Sequence, residues 1–200
     1  MYINAVGHYL PEKVIPNSYF KDVNGLTEDW IVARTGIKER RKAAEHENTN
    51  TMAAEAVRNL IKNYKISTQD INLIVGCTYS PYDTVGNIAQ IVQKKWQIPD
   101  TVSINIGAAC STFINGLELT EGYFGINKAD KALVIDSEHN TLFGHEDDDK
   151  SGHLWGDGAA AVYISKEVES EHALEIVDVF TKGHANDGKG PDGVWLRPLN

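Results

Sequence analysis

Apolar side chains recur along this chain with two periods, and the changes of period divide it into elements. Over Thr51–Tyr64 the spacing is helical: Met52, Ala56, Leu60 and Tyr64 form one stripe, with Ala53, Val57 and Ile61 beside it. Apolar runs at Asn72–Thr78, Thr101–Ile106, Lys131–Asp136 and Ala159–Ser165 predict strands, the inner ones buried on both faces. Tyr2–Gly7 predicts a first strand, and Ala173–Thr181 closes the series. Helical spacing returns at Asn17–Val23, Thr27–Arg34, Asn87–Trp96 and from Cys110 to Phe124. The segment Thr27–Arg34 is punctuated at both ends. Thr27 can cap it, Glu28 and Asp29 stand in its first turn, and Gly36 lies just past its end. Strand and helix alternate, so the pattern predicts an α/β fold whose sheet is mainly parallel and covered by helices on both faces.

With 200 residues the chain has room for a real core, or for one layer of a larger fold. Its net charge of −9 leaves no basic footprint for nucleic acid or an anionic membrane. No apolar run is long enough to span a bilayer, and Met1–Val6 has no cationic signal-peptide region. Cys77 and Cys110 are the two cysteines, read as reduced thiols in a cytoplasmic protein. Composition breaks at Asn186–Gly193, where four of eight residues are glycine or proline. That stretch divides the chain into a domain over 1–185 and a connector over 186–200.

One thiol carries the chemistry. Cys110 comes after a β-branched strand and the small residues Gly107, Ala108 and Ala109, at the start of a helical segment. A helix N-terminus favours thiolate through its dipole and its unpaired N–H groups, and small neighbours admit an acyl group. Taken alone, such a residue reads equally as a buried, inert core cysteine. Three stretches break the tie: Glu28-Asp29-Trp30-Ile31-Val32-Ala33-Arg34-Thr35-Gly36-Ile37-Lys38-Glu39-Arg40, Gly107-Ala108-Ala109-Cys110-Ser111-Thr112-Phe113 and Trp155-Gly156-Asp157-Gly158-Ala159-Ala160-Ala161. In this order they resemble the N-terminal half of 3-oxoacyl-[acyl carrier protein] synthase III, a condensing-enzyme family of the thiolase superfamily. Tyr9-Leu10-Pro11-Glu12-Lys13-Val14 fits the opening of that family as well.

The resemblance implies a thiolase-like fold: a mixed five-stranded sheet with helices on both faces, forming one of two similar halves. It implies an acyltransferase in which Cys110 takes an acyl group from an acyl thioester. Attack by the carbanion of decarboxylating malonyl-carrier protein then completes a Claisen condensation in fatty acid or polyketide-type synthesis. Coenzyme A thioester and acyl carrier protein are thus the implied partners, with no metal and no separate cofactor. Trp30, Arg34 and Lys150 are the implied coenzyme A contacts. Trp30 and Arg34 share a helix face at i and i+4, and both planes stack well on a purine. Lys150 stands beside the position where the family carries an arginine, and offers a point charge instead of a planar fork. The family also implies a homodimer through Thr101–Ile106, a strand that would otherwise be an open sheet edge. The second half, with the His and Asn that act on the malonyl group, is absent from this chain, which implies an inactive fragment. The alternative is a non-catalytic thiolase-type half that serves as an assembly partner.

Two other patterns carry less. Gly156, Gly158 and Ala161 have dinucleotide-fingerprint spacing, but Val162-Tyr163-Ile164-Ser165 after them read as a strand and not a helix, so a tight turn is expected. The segment His139–His153 gathers histidines and carboxylates without ligand spacing, and reads as a solvated acidic loop.

Overall fold

The computed structural model describes residues 1–190. They form two compact units. The larger takes in Met1–Tyr9, Asn48–Glu138 and Gly158–Thr181, and the smaller includes Leu10–Glu47 and His139–Asp157.

The larger unit is built on a sheet of strands β1 (Tyr2–Tyr9), β4 (Leu73–Cys77), β5 (Val102–Ile106), β6 (Lys131–His139), β7 (Asp157–Ser165) and β8 (Leu174–Glu175), in the order β5-β4-β6-β7-β1-β8. The sheet is mixed, as the resemblance implies, with parallel pairing confined to part of it. β4 runs parallel to β5 and β6, whereas β1 is antiparallel to both β7 and β8. The order explains why: β1 reaches β7 from the far end of the sequence, and no βαβ crossover sets its direction. The five main strands match the expected number. The last expected strand, Ala173–Thr181, shrinks to the two residues of β8: Ile176 N still donates to Met1 O, but Val177 and Phe180 stay exposed.

Three helices cover the sheet, α3 (Thr49–Tyr64), α4 (Ile88–Trp96) and α5 (Thr112–Gly125). α3 starts two residues before its apolar stripe suggests, because Asn48 accepts from the N–H groups of Asn50 and Thr51 while Thr51 Oγ1 accepts from Asn48 N. Adjacent strand residues point to opposite faces, and glycines show which helix lies on which. A Cβ on Gly76 would meet Ile88 and Ala89 of α4, and one on Gly116 of α5 would meet Cys77 Sγ at 2.6 Å. Hence α4 and α5 lie on opposite faces of β4. A Cβ on Gly7 would fall 2.4 Å from Ala56 O and 2.5 Å from Leu60 N of α3. The α5 face buries Leu73, Val75, Cys77, Val134, Val162 and Ile164 with Leu117 and Phe124 of the helix.

The smaller unit holds the antiparallel pair β2 (Lys13–Pro16) and β3 (Glu39–Lys42), joined through helices α1 (Tyr19–Asn24) and α2 (Glu28–Thr35). α2 is capped as its sequence predicts: Thr27 Oγ1 accepts from Trp30 N, and Gly36 adopts φ 71°. The two short strands escape a periodicity reading because Glu39-Arg40-Arg41-Lys42 is wholly charged. Arg40 is nonetheless buried, its guanidinium over Phe20 and donating to Ile15 O and Asn17 Oδ1. Most of the expected connector 186–200 lies outside the described residues, and Asn186–Gly190 are irregular and exposed save Gly190.

The contact at Gly7 yields a test. Gly7→Ala must push α3 off β1 through backbone atoms that cannot yield, and should cost about 2–3 kcal/mol. A urea midpoint equal to that of the parent would contradict this packing.

Candidate active site

Cys110 stands on a turn that the larger unit holds from several directions. β5 ends at Ile106, and Gly107 lies so close to the next segment that a Cβ there would sit 2.9 Å from Thr78 O. Ala109 then adopts φ 49°, the left-handed region, which costs a non-glycine residue about 1–2 kcal/mol and marks a strained turn. Thr112 ties the turn together: its Oγ1 accepts from Ala108 N at 2.8 Å and donates to Ala109 O at 2.6 Å. Ser111 Oγ contacts Ala108 O and Asn115 Oδ1. Helix α5 begins at Thr112, so Cys110 lies two residues before it and not within its first turn as the spacing suggests. Ser111 stands as the helix N-cap at φ −95° and ψ 1°, outside helical geometry, and Ala109 before Cys110 has a positive φ. Cys110 is exposed and unpaired; Cys77 is wholly buried and unpaired. Burial pushes the Cys77 thiol up, and the negative charges of Asp136 and Glu138 add to the effect.

Behind this turn are two acids that pattern reading passed over. Asp136 pairs in register with Cys77 across β4 and β6, and its pKa is pushed up to about 7, first by burial and then by Glu138. Glu138 accepts from Tyr79 N at 2.9 Å, Ser80 N at 3.1 Å and Thr78 Oγ1 at 3.2 Å, and also from Ser80 Oγ. Burial raises its pKa, and these same hydrogen bonds oppose the rise. Their only sequence signal is that two acids end an otherwise apolar strand, Ala132–Ile135.

Trp30, Arg34 and Lys150 belong to the smaller unit. The structure brings the first two together. The Arg34 guanidinium lies 4.2 Å from the centroid of the Trp30 ring, and His153 packs edge-on against that ring at 5.5 Å. Arg34 is exposed and Trp30 half-buried. His153 is buried, and both its burial and the Arg40 charge lower its pKa. Lys150 is exposed on a turn, with its N–H donated to Asp148 Oδ1. The acidic segment before it is more ordered than a solvated loop. Although burial alone would raise the Glu146 pKa, hydrogen bonds from Lys42 and Tyr19 hold it below the usual carboxylate range. The expected tight turn at Gly156-Asp157-Gly158 is instead the entry to β7. There the Asp157 carboxylate accepts from Ala43 N, Thr141 N and Thr141 Oγ1, which makes the segment a structural clamp.

Comparison with known proteins places this arrangement. Residues 104–183, which contain the whole Cys110 turn and α5, match the family model of 3-oxoacyl-[acyl-carrier-protein] synthase III. Over these residues the chain is similar to this family. It is 36% identical over 181 residues to beta-ketoacyl-[acyl-carrier-protein] synthase III 2 of Halalkalibacterium halodurans, covering 90% of this chain and 54% of that protein. It is 38% identical over 196 residues to the synthase III of Haemophilus influenzae, covering 98% and 60%. The crystal structure of the Aquifex aeolicus synthase III superposes with a TM-score of 0.78 at 32% identity, over 82% of this chain and 53% of that one. This likeness establishes the thiolase-like fold. The chain spans about half the length of the curated synthase III relatives it matches.

The acid beneath the turn has a measurable consequence. An aspartate whose folded pKa is raised binds its proton more tightly when folded, so stability is lost as pH climbs from about 4 towards 7 and stays low above 7. Asp136→Asn removes that loss. Its melting temperature should exceed the parent's by several degrees at pH 8, with the advantage shrinking away as pH falls to 4. An advantage independent of pH would contradict the assignment.

Proposed function

We propose that this chain is the nucleophile-bearing part of a condensing acyltransferase, with Cys110 as the acylated residue. The observation that carries the reading is the contrast between the two thiols. Cys110 is exposed on a strained turn within the family's matched segment, whereas Cys77 is sealed beneath Gly116. The Cys110 thiolate attacks the carbonyl carbon of an acyl thioester. The tetrahedral oxyanion collapses, the acyl–sulfur bond to the donor breaks, and the donor leaves as a thiolate that takes up a proton. The Cys110 N–H is the donor offered to that oxyanion. A malonyl-carrier protein then loses carbon dioxide, and its carbanion forms the new carbon–carbon bond as the Cys110 thiolate departs.

Coenzyme A is the proposed acyl donor. Its adenine would stack with Trp30 and Arg34, which already form a cation–π pair that a purine could join. Lys150 would add a point charge for phosphate. The relatives are named for acyl carrier protein, and a carrier protein is the proposed second partner.

Acylation is directly readable. After incubation with acetyl-CoA, the intact mass of the purified protein should rise by one acyl group, and Cys110→Ala should abolish the rise. An adduct that persists in that variant, or one mapped to Cys77, would overturn the reading.

The proposal extends to a homodimer through β5. Among the described residues β5 is the outer strand of its sheet, paired only with β4. Val102 N donates to Asn72 O and Ile106 O accepts from Thr78 N, so Val102, Ile104 and Ile106 turn their backbone groups towards β4. Ser103 and Asn105 therefore direct theirs outward. A second copy related by a two-fold axis would satisfy that edge. Ser103→Pro removes an outward N–H while sparing the β4 ladder, and should convert dimer to monomer or aggregate in sedimentation. An intact dimer of unchanged affinity would refute pairing at this edge.

A further inference from the structure

We infer that Glu138 is a positioning residue for Cys110, acting through the turn Thr78–Ser80. The inference rests on the reading of Cys110 as the nucleophile. Glu138 lies near the end of β6, two residues beyond Asp136 on the same face of the sheet. Its half-buried carboxylate is committed to one short segment, accepting from Tyr79 N, Ser80 N, Thr78 Oγ1 and Ser80 Oγ. That segment abuts the nucleophile's turn at two points. Thr78 N donates to Ile106 O at 3.1 Å, and Thr78 O lies where a Cβ on Gly107 would be 2.9 Å away.

From Gly107 the path to the sulfur is short and stiff. Ala109 sits in its strained left-handed conformation, and Thr112 Oγ1 bonds both Ala108 N and Ala109 O. A turn braced in this way moves as a body. Any displacement of Thr78 would therefore carry Cys110 with it instead of being absorbed on the way. Misplacement of a reacting group by about 1 Å costs on the order of a hundredfold in rate.

The role needs a carboxylate. It is acceptor-only, and it faces two backbone N–H groups and two hydroxyls. A glutamine has the same shape but must turn its NH2 towards one side of the site. Facing Tyr79 N or facing Ser80 N, it sets donor against donor, and a backbone N–H cannot reverse its role. Burial makes that mismatch costly.

The experiment compares Glu138→Gln, Gly107→Ala and the double variant with the parent protein, using two readouts on Cys110. One is the rate of acylation at saturating acetyl-CoA, together with the acetyl-CoA concentration at half-saturation. The other is the rate of alkylation by iodoacetamide against pH, which needs no acyl substrate. Glu138→Gln should slow acylation by about ten- to a hundredfold, with half-saturation changed by less than about twofold. Gly107→Ala should reproduce this from the other side of the contact, and the double variant should be little slower than either alone. Should Glu138→Gln fail to fold, Thr78→Val removes a single hydroxyl donor and should still slow acylation by about three- to tenfold. Acylation of Glu138→Gln or Thr78→Val at the parent's rate, or strictly additive losses in the double variant, would overturn the inference. If the parent itself takes up no acyl group, the reading of Cys110 fails. In that case the alkylation profile decides the positioning role alone: a shifted profile in Glu138→Gln supports it and an unchanged one overturns it.

Discussion

The close seating of α5 on the sheet is the constraint that sets the geometry around Cys110. Gly116 lets the helix backbone settle onto Cys77 and Val134, and any side chain there would lift it. With that approach fixed, the start of α5 is fixed as well, and the four residues between Ile106 and Ser111 have little length to spare. They close the gap only by placing Ala109 at positive φ. The strain at Ala109 is thus the consequence of a short connection between two rigid elements, held by burial on both sides. An exposed thiol at the apex of such a turn keeps its position without needing contacts of its own.

The same approach separates the two cysteines chemically. Cys77 sits on the α5 face under Gly116, with Asp136 beside it in register, so an ionised sulfur there would lose its water and meet a neighbouring carboxylate. Cys110, on the connection itself, keeps access to solvent. One fold therefore protects one thiol and presents the other, and the difference lies entirely in surroundings, since the side chains are identical.

Much of the fold could be read before any coordinates. Strands β4, β5, β6 and β7 and helices α2, α3 and α4 fall within a few residues of their periodic patterns, because their apolar positions are dictated by burial on known faces. What periodicity could not supply was direction. The antiparallel placement of β1 depends on pairing with a strand some 150 residues away in sequence, and no local pattern encodes it. The pair β2 and β3 was hidden for a different reason: a run of four charged residues does not look like a strand. Arg40 is nevertheless buried by donating to two oxygens and lying on Phe20. Cys110, Trp30, Arg34 and Asp157 lie in stretches that stand out as motifs, whereas what Glu138 and Asp157 do was not legible. Their work is to accept from backbone and side-chain donors in distant segments, and the identity of those donors appears only when the chain is folded.

Glu138 and Asp157 obey one rule in the two units. Each is an acid beside a strand end, and each accepts from backbone N–H groups of a loop. Asp157 does so for Ala43 and Thr141, and Glu138 for Tyr79 and Ser80. A loop that carries or braces a reactive group must leave regular secondary structure, and each N–H it strips from a ladder needs an acceptor if it is to be buried. A carboxylate can satisfy several at once, and because it donates nothing it tolerates no reversal of that arrangement. The acid at the end of β6 is therefore a structural requirement of having a rigid, irregular turn beside Cys110, and Asp157 meets the same requirement within the smaller unit. Burial of the carboxylate is the cost, and it raises the Glu138 pKa against the pull of those same hydrogen bonds.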